Sequence, residues 1–196
     1  MFGPPVDLSF RHISSLEDAW PEDPGGALRP LKRNPEKKSA SRGLRLNNND
    51  IADLRDLQRT VGHFLSEPSQ LAWLDLSFNR LPHVDHVLCE LRALRVLYLH
   101  GNDIFILSEV DRLGELPHLQ TVTLHGNMIA THRNYRNRVV SALPQLKTMD
   151  FSAVTPQDRV TATIWRRSSD RRRGSGDTPR RAAPEPPEST GPQVHV

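Results

Sequence analysis

The chain of 196 residues holds a single cysteine, Cys89, so no disulfide can close within it. A lone Cys in a return segment reads as a small buried hydrophobe rather than a redox centre. No apolar run approaches the roughly 18–20 residues of a membrane span, and the N-terminus lacks the charged start and apolar stretch of a secretory signal. Together these absences predict a reduced, cytoplasmic setting and no membrane. A Gly-rich phosphate loop, a nucleophile elbow and a carboxylate pair at informative spacing are all missing. The sequence therefore predicts no enzyme, with no catalytic residue, cofactor or metal. Acidic and basic residues nearly balance, with a net charge of +3. The excess lies in the tail, where seven Arg between Arg166 and Arg181 face only Asp170 and Asp177. The remaining body is near neutral and shows no basic stripe for nucleic acid. Of the 16 Pro, eleven cluster before residue 36 or after residue 178, leaving the centre to form a core.

What the centre holds is a repeated phrase. It reads SRGLRLNNNDI from Ser41, LAWLDLSFNRL from Leu71, LRVLYLHGNDI from Leu94 and LQTVTLHGNMI from Leu119. A fifth copy, LKTMDFSAVTP from Leu146, changes ending and puts Val154 where the others carry Asn. Alternating L-x-L sends two apolar side chains to one face of a short strand and the residue between them to the other. The Asn that follows (Asn49, Asn79, Asn102, Asn127) sits where the chain leaves the strand. There its amide can satisfy buried backbone groups, and stacked copies would form an asparagine ladder. The starts at 41, 71, 94, 119 and 146 give one period of 30 and then periods of 23 to 27. This is the leucine-rich repeat phrase, whose copies cannot bury their strand face alone and must stack.

The predicted fold class is thus an α/β leucine-rich repeat solenoid. Short parallel strands line its concave face, and helices or 3₁₀ turns lie on the convex side. Leu54, Leu57, Val61, Phe64 and Leu65 follow the first copy at helical spacing, with Glu67-Pro68-Ser69 as a loop that explains the long period. Later returns carry shorter i, i+3 or i+4 patterns, such as Val84, Val87, Leu88 and Leu91. Residues 1–40 form an extension, partly ordered as cover for the first edge through Leu8, Phe10, Ile13, Leu16 and Trp20. A turn at Pro24-Gly25-Gly26 and a basic stretch from Arg29 to Lys38 follow; the alternative is that this extension docks on something else. Residues 41–154 hold the repeats, with Leu146, Met149 and Phe151 in the last strand. A capping helix over 155–169 starts at Thr155 and Pro156 and turns Val160, Ile164 and Trp165 toward that strand. From 170 to 196 the composition predicts disorder.

The letters between the invariant ones carry what is particular to this chain. On the concave face the central position reads Arg45, Asp75, Tyr98, Thr123 and Asp150. The position before the first leucine gives Trp73, and those after the second give His100, His125 and Phe78. Trp73, Tyr98 and Phe78 converge as exposed aromatics of the kind that anchor interfaces. The candidate partner-binding set is Trp73, Asp75, Phe78, Tyr98, His100, Thr123 and His125. His100 and His125 share a register on neighbouring strands, but no third ligand stands beside them, and Gly101 and Gly126 read as turn glycines. The plainer reading of Trp73 is that it shields its neighbours.

The short repeats, the Asn134-Tyr135-Arg136 return and the ending Leu-Pro-x-Leu-Lys-x-Met-Asp…Val-Thr…Asp-Arg over about residues 41–165 resemble the SDS22-like class of intracellular leucine-rich repeats. That resemblance implies a small non-enzymatic protein. Its relatives include phosphatase regulators, a spliceosomal subunit and proteins of motile cilia. The expectation is a scaffold with a protein partner on its concave face, as a monomer or as a subunit of a larger complex. The expected setting is cytoplasmic, with a cilium or axoneme or another cytoskeletal assembly as the specific version. The alternative is a ribonucleoprotein adaptor that uses the basic ends.

Overall fold

In the computed structural model, residues 3–24 and 32–174 are described. The Gly25-Gly26 turn, the start of the basic stretch at Arg29 and the tail after 174 lie outside them. Seven strands form one sheet in sequence order: β1 (Val6–Asp7), β2 (Gly43–Arg45), β3 (Trp73–Asp75), β4 (Val96–Tyr98), β5 (Thr121–Thr123), β6 (Thr148–Met149) and β7 (Ser152–Ala153). β1 to β6 run parallel, and β7 returns antiparallel on β6. Register puts like positions of the phrase side by side, so Leu44, Leu74, Leu97, Val122 and Met149 form one rung-to-rung row. All of these are buried. Each such side chain contributes about 1.5–3 kcal/mol relative to exposure, and the stack has one continuous core.

The convex side follows the length of each period. Where the period is 30, the return builds an α-helix, α1 (Leu57–Phe64), which buries Leu57, Thr60, Val61 and Phe64. Shorter periods leave fewer residues to cross the same width. The 3₁₀ form rises about 2.0 Å per residue against 1.5 Å for the α form. Those returns are 3₁₀ turns at His86–Glu90, Leu107–Glu115 and Met128–Thr131. The Asp85 carboxylate caps the first of them, accepting from the Val87 N–H at 2.9 Å. A second helix, α2 (Tyr135–Ala142), precedes the last strands. Cys89 is buried in its return and its thiol donates to the Arg112 carbonyl at 3.2 Å. Burial, then the nearby Glu115, push that thiol above its ordinary pKa, which keeps it protonated and unreactive.

The asparagines form the ladder, and each rung reaches back one copy. Asn79 Nδ2 donates to the carbonyls of Leu76 and Leu46, while its Oδ1 accepts from the Ile51 N–H. Asn102 and Asn127 do the same one and two copies on. The first rung finds a partner that the repeat phrase does not announce. Asn49 donates to the Leu8 carbonyl and accepts from the Arg11 and Ile13 N–H groups, with β1 paired on β2. Val6, Leu8, Ile13, Leu16 and Ala19 are buried there. Trp20 Nε1 donates to the Thr60 hydroxyl at 3.0 Å. Phe10, by contrast, is exposed.

At the other end, α3 (Pro156–Gly174) runs past residue 169, where the sequence pattern ends the cap. Thr155 Oγ1 accepts from the Asp158 N–H, and Asp158 accepts from the Thr155 N–H, a reciprocal capping box. Arg136 of α2 grips the same carboxylate through Nε and Nη2, each at 2.9 Å. The expected apolar stripe needs correction. Val160 and Ile164 are exposed, and the buried residue is Ala162, with Trp165 half-buried. α3 crosses α2 closely enough that only a small side chain fits between them, so Ala162 takes the contact. Phe151 also departs from expectation. It lies outside the core because Asp150 and Phe151 both adopt left-handed backbone (φ 49° and 61°), which reverses the chain into β7.

Candidate functional site

The concave face is built from the first and third letters of each strand, and on β3, β4 and the β6–β7 turn it becomes aromatic. Trp73 and Tyr98 meet edge to face with ring centroids 5.8 Å apart. Tyr98 meets Phe151 at 5.6 Å, and Phe151 meets both His100 and His125 at 5.6 Å. Phe78 joins from the strand-exit side, edge-on to His100 at 5.0 Å. Arg45 closes the opposite border, its guanidinium 5.3 Å from the Trp73 ring and ion-paired with Asp7 at 3.0 Å. Burial pushes the Asp7 pKa up, but hydrogen bonds from Ser9 and the charge of Arg45 outweigh it and hold the carboxyl below its usual value.

Three of the seven residues expected to meet a partner do something else. Asp75 is buried and accepts from the N–H and hydroxyl of Ser77, which tightens the turn leaving β3. Thr123 is fully buried, with its hydroxyl 2.7 Å from His100 Nδ1. His100 is itself at the edge of burial and serves as the floor of the patch. Asp75 is thus drawn into its own turn and Thr123 lies against His100 of the preceding copy, whereas the larger rings of Trp73 and Tyr98 reach solvent. Trp73 and Tyr98 are half-exposed, while Phe78 and Phe151 are 52% and 61% exposed. Phe78 does not touch Trp73 or Tyr98 in a ring contact; His100 links them.

His100 and His125 stack at 4.7 Å with planes 9° apart. Burial, and then the neighbouring His125, lower the His100 pKa, so a neutral ring is favoured. His125 Nδ1 lies 3.2 Å from Asp150, whose Oδ1 also accepts from the Leu124 and His125 N–H groups. Asp150 Oδ2 accepts from the Tyr135 hydroxyl at 2.8 Å. Burial, then the Asp150 charge, push that phenol far above its ordinary pKa, so Tyr135 stays a donor. Among the described residues no group of three His, Cys, Asp or Glu is placed to hold a metal. The arrangement offers an apolar platform with one imidazole rim.

Backbone geometry adds a signal that letter patterns could not carry. The position after the second leucine's neighbour is left-handed in all four full copies: Asn48, Phe78, Gly101 and Gly126, with φ between 53° and 71°. Asn and Gly suit it, whereas a bulky residue there costs roughly 1–3 kcal/mol. Phe78 accepts that cost, and Phe151 accepts it again in the last turn. At Gly101 the reason for glycine is steric as well, since an added Cβ would fall 2.6 Å from the Phe78 ring. Of the three left-handed phenylalanines, all exposed, Phe78 and Phe151 border the same patch, while Phe10 lies at the first edge.

The leucine-rich repeat family model matches residues 43–174. Leucine-rich repeat-containing protein 51 of Homo sapiens is 48% identical over 164 residues, covering 84% of this chain and 85% of that protein. U2 small nuclear ribonucleoprotein A′ of Saccharomyces cerevisiae is 32% identical over 184 residues, covering 88% of this chain and 71% of that protein. Among solved structures, a chain of the Drosophila melanogaster SNF/U2A′ complex superposes with a TM-score of 0.57 at 22% identity, over 77% of this chain and 94% of that one. That last likeness shows the fold alone.

Proposed function

Because the chain belongs to the leucine-rich repeat family, we propose that it is a non-enzymatic scaffold whose concave aromatic patch seats another protein. The observation that carries this reading is the pair Phe78 and Phe151, large exposed rings held in left-handed backbone on either side of Trp73 and Tyr98. Stability alone favours glycine or asparagine at those positions, so ring placement is what the backbone strain obtains. The exposed aromatics, ringed by Arg45 and His125, have the makeup of an interface centre.

The test is capture of partners from cell extract by the intact protein beside two variants. Trp73→Ala/Tyr98→Ala and Phe151→Gly should each lose the specific partner, while Phe151→Gly melts at the same or a higher temperature. Retention of every partner by both variants would sink the proposal. The finer version places the scaffold in the cytoplasm, in a cilium, axoneme or other cytoskeletal assembly. It also assigns the chain to the SDS22-like class, whose ending pattern it carries, and kinship with that class is what supports the ciliary setting. A proximity-labelling list rich in tubulin or dynein components would favour that version. A splicing list would favour the second reading, a ribonucleoprotein adaptor, to which the likeness to yeast U2 small nuclear ribonucleoprotein A′ lends weight.

A further inference from the structure

The edge by which the chain enters each strand carries a second feature, separate from the aromatic patch. Arg42, Ala72 and Arg95 are the residues just before β2, β3 and β4. Their backbones are joined rung to rung, Ala72 N–H to the Arg42 carbonyl at 2.9 Å and Arg95 N–H to the Ala72 carbonyl at 2.8 Å. Rungs lie about 4.8 Å apart, so Arg42 and Arg95 are two rungs apart with only a methyl group between them. The gap is a depression of about 330 Å³, lined by Arg42, Ser69, Gln70, Arg92, Arg95 and His118 over the alanines. No carboxylate lines it. Arg92 and Arg95 are exposed, and neither pairs with a carboxylate among the described residues.

We propose that this depression binds a phosphoryl group carried on a protein partner, a phosphoserine or phosphothreonine in an extended segment. Charge selects the ligand. A phosphoryl group brings about −1.5 to −2 at neutral pH and three acceptor oxygens, against a single charge on a side-chain carboxylate. Guanidinium forks match phosphate oxygens two at a time, and the two exposed cations here, Arg92 and Arg95, are both arginine. The Ser69 hydroxyl and the Gln70 amide supply further donors. The position selects a polypeptide. Ala72 and Arg95 directly precede Trp73 and Val96, so a segment lying across the concave patch leaves the sheet over this depression. A single strand of nucleic acid needs a cationic groove that tracks its backbone, and the same edge continues instead through the neutral Gln120. The choice of a protein carrier rests on the scaffold reading above; the anion pocket itself does not.

The experiment uses the full chain labelled with ¹⁵N and four probes: Gly-Gly-phosphoserine-Gly-Gly, its unphosphorylated form, inorganic phosphate and oligouridylate. The phosphopeptide is expected to shift the amide signals of Ala72, Ala93 and Arg95 saturably, and to bind about tenfold more tightly than inorganic phosphate. Arg92→Glu/Arg95→Glu should lose at least about tenfold of that affinity. Arg92→Lys/Arg95→Lys, which keeps charge but removes the forks, should lose part of it. Both side chains are exposed, so these variants fold, which circular dichroism checks. Trp73→Ala/Tyr98→Ala should leave binding of so short a peptide unchanged, so a failure of the concave docking reads separately. Equal binding of the unphosphorylated peptide or of inorganic phosphate, unchanged affinity in the glutamate variant, or displacement by oligouridylate would each overturn the proposal.

Discussion

The two ends of the solenoid solve one problem in opposite ways. The first end continues the repeat's own bonding although its residues do not spell the repeat. β1 adds a parallel strand, and Asn49 ties down Leu8, Arg11 and Ile13 as though another copy stood there. The last end begins as a repeat and then abandons it. Val154 replaces the ladder asparagine, the chain reverses into β7, and Asp150 with the Arg136–Asp158 pair takes over the bonding. One end is closed by burial and backbone, the other by side-chain chemistry. The difference teaches that capping a stack requires satisfied edge groups, and that these can come from either source.

Removing burial at the first end should do the most damage. Leu8 is fully buried, and Leu8→Ala is expected to cost about 2–5 kcal/mol, read as a shift in denaturant midpoint at unchanged slope. Asn49→Ala strands several backbone groups without partners, at about 1–3 kcal/mol each when buried. Hydrogen exchange should show Leu8 to Ile13 opening ahead of the rest, and uniform loss of protection would count against a separate N-terminal unit. At the last end Tyr135→Phe removes one bond to Asp150 and should cost about 1.5–3 kcal/mol, as for bonds to charged groups.

Acid should act more gently and centrally. His100 has a folded pKa below its ordinary value, so the unfolded chain binds more protons in the window between the two. Stability is therefore full above about pH 6.5 and falls as the pH drops toward the folded value. His100→Gln should flatten that slope in melts between neutral and mildly acidic pH. Smallest of all, Ile164→Ala on the exposed face of α3 should stay within about 0.5 kcal/mol. A larger loss there would restore the apolar stripe that the sequence alone suggests.

Much of this molecule was legible in the letters, and the exceptions have physical causes. The L-x-L rows and the Asn turns give the sheet and its ladder because both are fixed by local spacing. β1 was not legible, since two residues pairing through backbone leave no side-chain signature. Trp73 and Tyr98 could be placed on the concave face from register alone. Whether Asp75 and Thr123 reached solvent could not, because side-chain bonds to Ser77 and His100 decide it. Phe151 reads as part of the last strand since its letters look regular. Only the consecutive left-handed residues before β7 turn it outward, and the one hint was the departure of the fifth phrase from its asparagine.

The ladder also has a direction. Each asparagine bonds its own turn and the copy before it, with Asn79 reaching to Leu46 and Ile51, Asn102 to Leu76 and Leu81, and Asn127 to Leu99 and Ile104. A copy leaving the ribosome therefore still has open backbone groups until its successor emerges to close them. Synthesis and assembly run the same way along this chain, each newly made turn locking the one made before.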